Sequence, residues 1–119
     1  MSSSNSILDS TKRALGIPSE YDVFDETVIL HINSIFATLQ QMGVGPDEGF
    51  MIVDDAQEWD SFTDTKKIIN NVKSYMFLRV KLLFDPPTTG FTTESMTRQV
   101  TEMEWRLQVA AQTARGETA

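Results

Sequence analysis

The chain has 119 residues, with 17 acidic and 10 basic side chains, no cysteine and a net charge of −7. One domain of this size buries roughly two thirds of its unfolded surface. The missing cysteine excludes disulfide staples, thiolate metal sites and cysteine nucleophiles; the single histidine, His31, leaves no ordinary zinc set; and the acidic balance argues against gripping a phosphate backbone.

Met1 to Ser6 lack the basic and apolar regions of an export signal, so none is expected. The first helix is predicted over about residues 7 to 15, where Ser6 and Asp9 have capping-box spacing, Leu8 and Leu15 share a face, and Gly16 with Pro18 supplies the stop. Being short, it must dock to persist. A second helix is predicted to start near Asp25, with the Asp25 carboxylate capping free N–H groups. Val28, Ile32, Ile35, Leu39 and Met42 follow helical spacing, and Gly43 ends it. His31 lies off the densest part of that stripe and reads as a surface or boundary residue.

From Val44 to Asp64 the periodicity stops. Gly45, Pro46 and Gly49 mark a turn, Phe50 to Val53 suit a short extended segment, and Trp59 with Phe62 can anchor the loop to the core. A loop of this length in a small domain is usually functional. The third helix, about Thr65 to Phe84, becomes almost continuously apolar in Phe77, Leu78, Val80, Leu82, Leu83 and Phe84, which predicts a central helix covered on most sides until Asp85, Pro86 and Pro87 end it. Its apolar run is ten residues, Tyr75 to Phe84, with Arg79 and Lys81 inside it, too short and too charged to span a membrane. The fourth helix is predicted from Thr92 or Thr93 to about Ala111, with Met96, Val100, Met103, Leu107 and Ala110 forming one seam and Trp105 and Val109 beside or away from it. The expected fold is therefore all-α: a small bundle of about four helices with a long middle loop. Residues 1–111 form the single domain and 112–119 a flexible tail. Ile32, Phe36, Leu39, Trp59, Tyr75, Leu78, Leu82, Leu83, Met103 and Leu107 are the predicted core.

No phosphate loop, histidine pair or nucleophile elbow is present, so neither an enzyme nor a bound cofactor is expected. The Asp54, Asp55, Glu58 and Asp60 cluster lacks the alternation and closing glutamate of a calcium loop and reads as a solvated acidic loop. Charge is split along the chain: residues 1–64 carry about −10 and residues 65–119 about +3. Such halves suit meetings between copies, although intramolecular pairing is the plainer reading.

The ordered segments Leu15-Gly16-Ile17-Pro18, His31-Ile32-Asn33-Ser34-Ile35-Phe36, Gly43-Val44-Gly45-Pro46, Trp59-Asp60-Ser61-Phe62, Val72-Lys73-Ser74-Tyr75, Leu78-Arg79-Val80-Lys81-Leu82-Leu83-Phe84-Asp85-Pro86-Pro87 and Glu104-Trp105-Arg106-Leu107 carry a resemblance. Over about residues 6 to 109 the chain resembles the head-tail connector, or adaptor, family of long-tailed double-stranded DNA bacteriophages and prophages. The resemblance implies a structural virion protein made in the host bacterial cytoplasm. It implies a homo-oligomeric ring, dodecameric as is typical of that family, at the head-tail interface. The ring would sit below the portal protein, join the DNA-filled head to a downstream head-completion, stopper or tail protein, and let genomic DNA pass without sequence-specific binding. By the same analogy, the acidic loop residues Asp54, Asp55, Glu58 and Asp60, together with Arg106, Gln112 and Arg115, are the expected partner contacts. No membrane is implied. The competing reading, drawn from the −10 half, is a small acidic phage-encoded regulatory protein that mimics DNA.

Overall fold

A computed structural model describes residues 5–63 and 65–114. Along them run five helices, α1 (Ile7–Ala14), α2 (Asp25–Gln41), α3 (Trp59–Phe62), α4 (Lys66–Phe84) and α5 (Gly90–Ala114), with no strand among the described residues. The all-α expectation holds, and α3 is an added single turn inside the middle loop.

Helix α1 starts as its sequence predicts, with Ser6 Oγ accepting the Asp9 N–H at 3.2 Å. It ends in a Schellman arrangement, in which Ile17 N–H reaches Lys12 O at 2.8 Å and Gly16 takes φ +80°. α2 closes the same way, with Val44 N–H on Leu39 O at 2.9 Å and Gly43 at φ +82°. Eight residues cannot hold a helix alone. α1 is instead laid against α2 and α4 and stitched to the middle loop. Ile7 N–H donates to Gln57 O and Trp59 N–H to Asn5 O, both at 3.0 Å, while Trp59 Nε1–H donates to Ser10 Oγ at 2.9 Å. The loop thereby covers polar α1 residues, and Asp9, Ser10, Thr11 and Lys12 are all buried.

Lys12 is 1% exposed, and its ammonium donates to Ser19 O at 2.9 Å. It also lies 2.7 Å from Asp25 Oδ1, in a charge contact too poorly aligned to count as a hydrogen bond. Asp25 was expected to cap α2; the cap position belongs to Phe24, without a side-chain bond, and Asp25 serves Lys12 instead. A buried ammonium needs a counter-charge more than a helix start needs a cap, because desolvating an ion costs several kcal/mol.

Val28, Ile32, Ile35, Phe36 and Leu39 of α2 face Ile69, Val72, Tyr75, Met76 and Val80 of α4 in the core. Phe36 is the hub of the aromatic part, with ring centroids 5.1 Å from Phe50, 5.0 Å from Phe62 and 6.3 Å from Trp59. Trp59 and Phe62 anchor the loop as expected. Phe50 to Val53 do not make a strand. Asn33 takes the place of a strand partner: its Oδ1 accepts Ile52 N–H at 2.8 Å and its Nδ2 donates to Ile52 O at 3.0 Å.

The predicted core is correct at Ile32, Phe36, Leu39, Trp59, Tyr75 and Leu107, which are buried, while Leu78, Leu82 and Met103 are partly buried against it. Leu83 is a correction, being 47% exposed. The end of α4 is not covered on most sides: Phe24 meets Phe84 edge-on at 5.3 Å and leaves Leu83 open. α5 begins at Gly90 rather than Thr92, since Thr89 Oγ1 accepts the Thr92 N–H at 3.3 Å and so caps an earlier turn. It also runs through Gln112 and Thr113 to Ala114, past the predicted end at Ala111. Val100, Leu107 and Ala111 form its buried seam.

α4 lies between α2 and α5, and α5 packs on α4 alone among the helices to any substantial extent. The result is a slab of 44 × 36 × 20 Å.

Candidate assembly surfaces

The first surface is the 51–60 loop on the α2 side. Side chains alternate here, Phe50 and Ile52 inward, Met51 and Val53 outward with 69% and 72% exposure. The outward pair is held in place by the Asn33 clasp and by Gln57 Oε1, which accepts Val53 N–H at 2.8 Å and Asp54 N–H at 3.1 Å. Acids follow directly. Asp54 Oδ1 accepts Ala56 N–H at 2.9 Å, Asp55 is exposed with its carbonyl accepting Ser6 Oγ–H at 2.8 Å, and Asp60 Oδ2 accepts Asn5 Nδ2–H at 3.2 Å. Glu58 is half-buried and bridges Ser6 through the backbone. Burial, and then the charge of Asp55, raise the Asp9 carboxyl above its ordinary 3.8.

The second surface is a groove of about 490 Å³ between the start of α4 and the end of α5. Ile68, Trp105, Val109 and Ala110 line it, with Lys67 and Arg106 at the rim. Trp105 is 64% exposed. Arg106 is paired with Glu102 one turn back, whereas Lys66 and Lys67 are exposed.

A polar tie fixes α5 on α4 beside this groove. Tyr75 is fully buried; its hydroxyl donates to Glu104 Oε2 and accepts from Arg79 Nη1, each at 2.7 Å, and Arg79 lies 3.4 Å from Glu104. Burial, reinforced by the bond to Glu104, pushes the phenol from 10.0 up to about 12.

The expected contact residues therefore fall into two groups that the fold keeps apart. Asp54, Asp55, Glu58 and Asp60 belong to the loop surface, and Arg106 and Gln112 to α5; Arg115 lies outside the described residues. The two surfaces flank α4. Trp59 meets Phe77 and Lys73 on one side of that helix, while Ile68, Tyr75 and Arg79 face α5 on the other. Met51, Val53 and Lys67 are exposed on these surfaces without being among the expected contacts, although the outward pair was readable in the alternation of residues 50–53. His31 is half-buried at the edge of α2, as its place off the apolar stripe suggests.

Among the described residues, no ion pair joins the charged halves. Among the described residues Lys12–Asp25 lies within the first half, and Arg79–Glu104, Lys81–Asp85 and Arg106–Glu102 within the second. The expected intramolecular cancellation is thus not made by direct pairs there. No group of three or more metal-ligating side chains comes together among the described residues, and no helix there is long and apolar enough to cross a membrane.

Two charged, partly apolar surfaces thus lie apart on the molecule, one on the loop at the α2 side of α4 and one between α4 and α5. A family model described as phage connector protein matches residues 7–114, from the first residue of α1 to the last of α5, and the chain belongs to that family. Its role is accordingly structural, as a component of a phage virion. No curated protein and no solved structure matches it.

Proposed function

We propose that the chain is the subunit of a head-tail connector ring, dodecameric as the resemblance implies. The ring sits below the portal, joins the DNA-filled head to the tail or the next completion protein, and lines the channel through which the genome leaves. The family match across all five helices carries this reading. The slab shape supports it, because thin subunits with unlike edges can stand side by side around an axis. The net charge of −7 suits a channel that surrounds DNA without holding it, since phosphates are repelled rather than paired.

Electron microscopy of the chain mixed with the portal protein of its phage tests the proposal. Ring-shaped complexes stacked on portal are expected. Absence of both portal binding and ring formation would overturn it.

A further inference from the structure

Taking the connector reading as its basis for a second copy as the partner, we infer that the loop tip at Met51–Asp55 of one copy docks into the Trp105 groove of the next. Apolar need comes first. Met51, Val53 and Trp105 are each more than 60% exposed, and the groove offers Ile68, Val109 and Ala110 as cover. Charge then selects the partner. Asp54 and Asp55 complete the tip, Lys67 and Arg106 rim the groove, and no described ion pair within a copy joins the acidic half to the basic half. Lys66 and Lys67 also stand in the first turn of α4, whose own dipole is positive at that end, so an incoming carboxylate is favoured twice.

Geometry decides what kind of contact this is. The tip rides on α2 through Asn33, the groove lies between α4 and α5, and α4 separates them. One copy cannot satisfy both of its own surfaces. The contact is head to tail, leaving a free tip at one end and a free groove at the other until a rotation closes the set. The tip is also pre-organised: four hydrogen bonds from Asn33 and Gln57 hold Ile52, Val53 and Asp54 before any partner arrives, which lowers the ordering cost of association.

The chain has no cysteine, so single cysteines can report the contact. Chains carrying Val53→Cys and chains carrying Val109→Cys are mixed and oxidised at high concentration, alone and with portal present. A mixed disulfide is expected several-fold above either chain alone and above the control mixture of Val23→Cys with Val109→Cys; Val23 is equally apolar and exposed but lies outside the tip. Lys67→Glu in the Val109→Cys chain should lower the yield several-fold, and Asp55→Lys in the Val53→Cys chain should restore it. A mixed yield at the control level in both settings overturns this interface. Rings on portal without the mixed disulfide would leave the connector reading standing and remove the interface; the disulfide with neither rings nor portal binding would do the reverse.

Discussion

Replacing Tyr75 by phenylalanine keeps the buried ring and removes one hydroxyl, which makes it a clean probe of how α5 is held. That hydroxyl donates to Glu104 and accepts from Arg79, each at 2.7 Å. A hydrogen bond to a charged group contributes roughly 1.5–3 kcal/mol, and because Arg79 stays 3.4 Å from Glu104, the net loss near neutral pH should be about 2 kcal/mol. The alkaline range gives a sharper test. The phenol ionises near 10.0 when unfolded and at about 12 when folded, so folding favours its neutral form. Its pH-dependent contribution is fully present below pH 10 and is lost as pH rises through 12; at ~1.36 kcal/mol per pKa unit it amounts to about 2.7 kcal/mol. The variant lacks this slope. Urea unfolding of both proteins at successive pH values should show a gap of about 2 kcal/mol that closes toward pH 12. Equal stabilities near neutral pH, or curves that stay parallel to the alkaline limit, would refute the reasoning.

Phe36→Ala should cost roughly 3–5 kcal/mol in chemical denaturation, because the ring touches Phe50, Trp59 and Phe62 and its loss leaves a cavity among them. Asn33→Ala should release the tip more than the fold: amide exchange at Ile52 should accelerate sharply, while global stability falls by about 1–2 kcal/mol. Asp9→Asn should raise the thermal midpoint at neutral pH. Burial and Asp55 raise the folded carboxyl above 3.8, so stability is fully present below that pH and is lost as pH rises through the folded value. The benefit of the neutral amide should therefore vanish in acid.

Much of this architecture was legible because helices announce themselves by period and by punctuation. Ser6 with Asp9, Gly16, Gly43 and Pro86-Pro87 mark ends that hydrogen bonds and φ values then confirm. α3 was missed because four residues contain no period. The early start of α5 was missed because Gly90 is a weak helix former, and its capping threonine, Thr89, resembles its neighbours. Leu83 shows a different limit. It follows Val72, Met76 and Val80 on one helical face, but phase says nothing about where the neighbouring elements end. Lys12 is the opposite case, a charged residue drawn inside by partners at Ser19 and Asp25 that no local pattern pairs with it. On the surfaces, the acidic loop was visible as composition, and Trp105 and Val109 as residues off the seam. Their separation across α4 depends on which helices touch, and a chain of letters does not contain that.

The stitching of residues 5–10 to residues 55–59 also orders events during synthesis. α1 emerges first, yet its hydrogen-bond partner Trp59 follows Ser10 by 49 residues, and most of the apolar surface of α4 comes later still. At roughly 5–20 residues per second, the opening helix waits about 2–10 s before the loop reaches it. An eight-residue helix has little stability of its own in that interval. α1 is thus made seconds before the loop that secures it, and until then Ser6 and Ser10 lack the partners at Asp55 and Trp59 that hold them in the folded subunit.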